Sequence, residues 1–76
     1  VLVNVPVADK DKKASIMGSE QLMAAIAQTE AELADTGRVL VRPSGTEPLI
    51  RVMIEAKEEA TAQVQAQKLA DLIKTL

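Results

Sequence analysis

Val39-Leu40-Val41-Arg42-Pro43-Ser44-Gly45-Thr46-Glu47-Pro48-Leu49-Ile50-Arg51-Val52-Met53-Ile54 is the stretch on which the reading of this chain turns. Two runs rich in β-branched and apolar residues flank a segment of proline, glycine, serine and threonine, the pattern of two strands joined by a loop. The strands are expected over Arg38 to Arg42 and Leu49 to Ala56, paired as an antiparallel hairpin. Side chains alternate along a strand, so Val39 and Val41 share one face and Leu40 and Arg42 the other. In the next strand Ile50, Val52 and Ile54 share a face opposite Leu49, Arg51, Met53 and Glu55. The valine and isoleucine faces must form the core. Any register that satisfies this also puts Arg42 and Arg51 on the same outer face. If Val41 pairs with Ile50 the arginines are diagonal neighbours; if it pairs with Val52 they stand directly opposite.

Like charges so placed destabilise a sheet, and an anion held between two guanidiniums resolves the conflict. The competing reading has each arginine satisfied by Glu47, Glu55 or water. The loop has donors of its own. Gly45 permits a positive φ, so that successive N–H groups could turn inward as an anion-binding nest, and the hydroxyls of Ser44 and Thr46 lie at its rim. Pro43 and Pro48 restrict its ends. No helix follows and no G-x-x-x-x-G-K pattern occurs, so this is not a Walker loop. Arg42, Ser44, Gly45, Thr46 and Arg51 are the candidate phosphate-binding residues.

Composition bounds what else the chain can do. Its 76 residues suffice for one domain, 1–76, with a modest core. There are no cysteines and no histidines, which excludes disulfides and any thiolate or imidazole metal site. There are no aromatic residues either, so the stacking platforms of single-stranded nucleic-acid binders are missing. Nine Lys and Arg against 11 Asp and Glu give a net charge of -2, which offers no general attraction to nucleic acid or to an anionic membrane. Neither a membrane-spanning run nor a signal pattern is present, and a cytoplasmic location is the default expectation. The chain opens directly into Val1-Leu2-Val3-Asn4-Val5 without a methionine, which reads as a domain boundary with a linker before it.

That opening run is the first strand, with Val1, Val3 and Val5 on one face, Leu2 and Asn4 on the other, and Pro6 closing it. Ala8 to Lys13 reads as a solvated connection of mixed charge with no function. From Gly18 to Leu33 the period becomes helical, with Leu22, Ile26 and Leu33 on one face. Ser19 is the expected N-cap, Gly37 the expected left-handed residue after the last turn, and Met17 and Met23 the expected gap-filling core. Glu58 to Leu76 is a second amphipathic helix, with Ala62, Ala66, Leu69, Ile73 and Leu76 inward and Gln63, Gln67, Lys68, Asp71 and Lys74 outward. The order strand, helix, strand, strand, helix indicates an α+β fold, an antiparallel sheet with two helices on one face. Leu2, Leu40, Leu49 and Met53 are left on the open face, as at a contact between domains.

No catalytic constellation appears. Without a base nearby, Ser44 is a hydrogen-bond donor and not a nucleophile, and no carboxylates cluster for a metal. Two functional classes stay open. One is a phosphate-binding domain of a larger protein; the other is a free-standing module whose arginine loop docks a phosphorylated or acidic partner.

Arg42-Pro43-Ser44-Gly45-Thr46-Glu47-Pro48-Leu49-Ile50-Arg51-Val52-Met53 closely resembles the phosphate-binding loop in the C-terminal domain of the α-D-phosphohexomutase superfamily, most of all its bacterial glucosamine-phosphate branch. The Val-Leu-Val-Asn-Val opening resembles the first strand of that domain. The resemblance implies a TATA-box-binding-protein-like fold and a place in a multidomain isomerase that interconverts glucosamine 6-phosphate and glucosamine 1-phosphate through a bisphosphorylated intermediate, for cell-wall precursors. It further implies a phosphoserine and Mg²⁺ bound outside this chain, other domains of the same polypeptide as partners, and a phosphosugar substrate. Arg42, Ser44, Gly45, Thr46 and Arg51 would then hold the phosphate that does not react, in a domain that closes over the cleft, and the fragment alone would be inactive. Phosphoglucomutase, phosphomannomutase and phosphoacetylglucosamine mutase share much of the motif and stay open as alternatives.

Overall fold

The computed structural model describes all residues, 1–76. Strand β1 spans Leu2–Pro6, followed by helix α1 (Lys10–Met17), helix α2 (Glu20–Leu33), a 3-10 turn (Ala34–Thr36), strands β2 (Gly37–Pro43) and β3 (Leu49–Ala56), and helix α3 (Glu59–Thr75). The sheet is antiparallel with β3 in the centre, in the order β1-β3-β2. This is the α+β architecture expected, with one helix more.

The additional helix occupies much of the segment read as a solvated connection. Asp9 caps it, its side chain accepting from the Lys12 N–H at 2.8 Å, and Asp11 lies favourably in the first turn. Gly18 closes it, its N–H donating to the Ala14 carbonyl. Only Ile16 is buried, so eight residues carry almost no apolar stripe. Caps and tertiary contacts hold this helix, and periodicity could not reveal it.

The core lies between the sheet and the helices. Val5, Ile50, Val52 and Ile54 face it from the sheet, Leu22 and Leu33 from α2, and Leu69 and Ile73 from α3. Ala62, Ala66 and Ala70 are also buried; at four-residue spacing they form a small-residue strip that lets the α3 backbone approach the sheet closely. Ile26 is half-buried and Leu76 likewise. Thr29 is a buried polar residue on α2 whose hydroxyl donates to the Ala25 carbonyl at 2.9 Å, so it satisfies itself locally. Of the two methionines expected in the core, Met17 packs against it and Met23 is 56% exposed. Met23 falls just outside the stripe defined by Leu22 and Ile26, and helical geometry turns it to solvent.

Ser19 caps α2 as expected, accepting from the Leu22 N–H. The end of that helix departs from expectation. Gly37 is extended (φ -174°) and opens β2, while the positive φ falls on Ala34 (49°), whose N–H donates to the Glu30 carbonyl. Glycine is needed at 37 for a different reason. A Cβ there would lie 2.0 Å from the Glu55 carbonyl oxygen and 2.9 Å from the Ala56 Cα. The β3 backbone passes where a side chain would be.

On the open face of the sheet, Leu2, Met53 and Leu40 form one cross-strand row, and all three are exposed. Leu49, on the same face, is half-buried beside its partner Pro6.

Candidate phosphate site

The hairpin adopts the second of the two allowed registers: Val41 pairs with Val52, and Arg42 stands directly opposite Arg51. Burial dictates this outward placement. Ile50 and Val52, on either side of Arg51, are fully buried, so period-two alternation sends the guanidinium to the open face. Asn4 completes the row as the partner of Arg51 on its other side.

The same face shows how an arginine here is normally satisfied. Arg38 makes a two-point contact with Glu55, Nε to Oε2 at 2.8 Å and Nη2 to Oε1 at 3.4 Å. That hydrogen bond, reinforced by the opposite charges, raises the Arg38 pKa and lowers that of Glu55. A depressed carboxylate favours the folded state above its unfolded pKa, and that contribution disappears as pH falls through the folded value. Arg38→Ala is therefore expected to return the Glu55 pKa to the ordinary carboxylate range in a side-chain NMR titration. An unchanged Glu55 titration would contradict the pairing. Since both side chains are largely exposed, the effect on stability should be minor.

Arg42 and Arg51 have no such partner. Neither guanidinium forms an ion pair or a hydrogen bond within the chain. Glu55 is taken by Arg38, and the Glu47 carboxylate forms no ion pair, so neither acid neutralises the pair. Two directly opposed guanidiniums share the face without intramolecular compensation, an arrangement that disfavours the free sheet and favours an anion.

The loop is closed by its own hydrogen bonds. Ser44 N–H donates to the Leu49 carbonyl at 3.0 Å and Leu49 N–H to the Glu47 carbonyl at 2.8 Å. The Ser44 hydroxyl oxygen accepts from the Glu47 N–H at 3.3 Å, and Ser44 is buried in an otherwise exposed loop. From outside the hairpin, Val7 N–H donates to the Pro48 carbonyl at 2.8 Å, and the Lys13 ammonium donates to the carbonyls of Ser44 (2.5 Å) and Glu47 (3.2 Å). The N–H groups of Gly45 and Thr46 take no intramolecular acceptor.

Gly45 does not have the positive φ expected of it; no glycine in the chain does. The loop therefore presents free amides without a left-handed nest. A Cβ at Gly45 would meet nothing within 4 Å, so neither torsion nor internal packing demands glycine there.

All five candidate residues come together. Arg42, Pro43, Ser44, Gly45, Thr46 and Arg51 line one shallow concavity of about 360 Å³. Chemically it offers two guanidiniums, two free amides and two hydroxyls, all suited to an anion and none to proton abstraction or nucleophilic attack. No group of three or more carboxylates gathers where a metal ion could be held, and no helix is long and apolar enough to cross a membrane. Two residues beside the site escaped the sequence reading. Asn4 was visible as the one polar residue in an apolar strand, but its adjacency to Arg51 depends on the β1–β3 register. Lys13 gave no signal, because its role depends on the unforeseen α1.

Residues 2–72 match the family model for the phosphoglucomutase/phosphomannomutase C-terminal domain. The chain belongs to that family. Among curated relatives of this phosphoglucomutase/phosphomannomutase C-terminal domain, the phosphoglucosamine mutase of Saccharopolyspora erythraea is 58% identical over 73 residues and that of Thermobifida fusca 53% over 74. These alignments cover 96% and 97% of the chain but 16% of each relative. The crystal structure of an N-acetylglucosamine-phosphate mutase, a member of the α-D-phosphohexomutase superfamily in its product complex, superposes with a TM-score of 0.73 at 27% identity. That match covers 93% of this chain and 14% of the other. The chain thus corresponds to about one-sixth of the length of its mutase relatives.

Proposed function

We propose that this domain grips the non-reacting phosphate of a hexosamine phosphate within a cytoplasmic phosphoglucosamine mutase, an isomerase that interconverts glucosamine 6-phosphate and glucosamine 1-phosphate. The observation that carries the reading is the opposed, unpartnered Arg42 and Arg51 lining one concavity with the free amides of Gly45 and Thr46. A phosphate monoester near neutral pH carries almost two negative charges, matching the two guanidiniums, while the amides and the Ser44 and Thr46 hydroxyls add directional donors. Gripping the distal phosphate orients the sugar, and this remote binding energy positions the reacting end. The choice of hexosamine rests on the relatives' names. The family resemblance assigns phosphoryl transfer and Mg²⁺ to other parts of the full-length polypeptide.

The test is a titration of the isotopically labelled 76-residue chain with glucosamine 6-phosphate, inorganic phosphate and unphosphorylated glucosamine at matched ionic strength. Shifts centred on residues 42, 44–46 and 51 are expected for the two phosphates, with affinity on the order of millimolar, and none for glucosamine. Shifts spread over the helices, or a loop indifferent to phosphate, would refute the assignment. Turnover of glucosamine 6-phosphate against glucose and mannose 6-phosphates by the full-length protein would test the substrate.

A further inference from the structure

The loop is gripped from behind by a single charged group, Lys13, whose ammonium holds the Ser44 and Glu47 carbonyls together. In a trans peptide the C=O and the following N–H point in opposite directions, and the chain contains no cis bond. Fixing the Ser44 carbonyl towards Lys13 therefore aims the Gly45 N–H the other way. The peptide after Glu47 leads into Pro48 and has no N–H to aim; there the ammonium, together with the Leu49 N–H, occupies an oxygen whose lone pairs would otherwise repel a phosphate. Lys13 is placed for this task by α1. Its N–H bonds to the Asp9 carbonyl at 3.0 Å, in the turn that the Asp9 side chain caps, and the residue is half-buried.

We propose that Lys13 is a positioning residue for the anion site: it draws the loop carbonyls to the rear and turns the Gly45 amide towards the bound phosphate. The role extends the phosphate-binding reading and rests on it. A lysine suits it because an ammonium offers three donors on a flexible stem and can serve two carbonyls at once.

The experiment compares Lys13→Met, Lys13→Gln and Lys13→Arg with the unaltered chain in the inorganic phosphate titration, read at the amides. Both neutral variants are expected to bind about tenfold more weakly, the scale of one charge-assisted hydrogen bond. Lys13→Arg, which keeps donors and charge, should stay within roughly threefold of the unaltered chain. In the neutral variants the Gly45 amide should also move before any phosphate is added, while those of Ile50 and Val52 stay in place. Because a distant charge acting through solvent is screened by salt, the affinity ratio should persist at about 0.5 M sodium chloride. Equal affinity in the neutral variants, an unmoved Gly45 amide, failure of Lys13→Arg to rescue, or disappearance of the ratio in salt would each overturn the role and leave the phosphate site standing. If the unaltered chain does not respond to phosphate, both fall together. Having two neutral variants with different side chains keeps the comparison available if one does not fold.

Discussion

Replacing both Arg42 and Arg51 with alanine is expected to abolish the phosphate response of the loop while leaving the domain folded. Each guanidinium can make charge-assisted, bidentate contacts that contribute about 1.5–3 kcal/mol. Losing two corresponds to at least ~100-fold in affinity, beyond observation for a site that begins near millimolar. The same change removes a directly opposed pair of like charges. Without phosphate, the variant should therefore be as stable as the unaltered chain or more stable by a few tenths of a kcal/mol, less whatever packing the arginine stems supply. These opposite signs separate a binding role from a structural one. Titration followed by thermal unfolding in a phosphate-free buffer measures both. Retained binding would show that the amides alone hold the anion; a marked fall in the melting temperature would show that the arginines belong to the scaffold.

Gly37→Ala is expected to be the most damaging small substitution outside the core. The new Cβ would sit 2.0 Å from the Glu55 carbonyl oxygen, and backbone is what must yield. Overpacking of this kind costs about 1–3 kcal/mol, a large part of the total stability of a domain this size. Relief could come from separating the ends of β2 and β3, which would also pull Arg38 from Glu55. A fall in the thermal midpoint of several degrees or more, together with a rise of the Glu55 pKa towards its ordinary value, is the expected signature. An unchanged midpoint would mean that the strands do not approach as closely as described.

Where the sequence reading held, a strict period was acting. Alternation in Arg38–Arg42 and Leu49–Ala56 placed Ile50, Val52 and Ile54 inward and both arginines outward before any register was known, and the helical period found α2 and α3. Alternation narrowed the pairing to two registers, and the sheet adopts the one with Arg42 opposite Arg51. Where it failed, local chemistry was doing a job that no period records. Helix α1 depends on the Asp9 and Gly18 caps and a single buried isoleucine. Gly37 looked like a left-handed helix end and is instead a point of close backbone approach between strands. Gly45 permits a positive φ but does not adopt one, although its free N–H remains. Lys13 could not be connected to a loop some thirty residues away without α1 to carry it there.

The place of the two arginines in the sheet makes them unequal jaws. Arg51 sits on the central strand, paired on both sides and flanked by the fully buried Ile50 and Val52. Arg42 sits on an edge strand, between the half-buried Val41 and the exposed Pro43. One guanidinium therefore springs from a strand held on both sides and the other from a strand held on one. A clamp with one fixed and one yielding jaw can close on phosphates presented at slightly different angles.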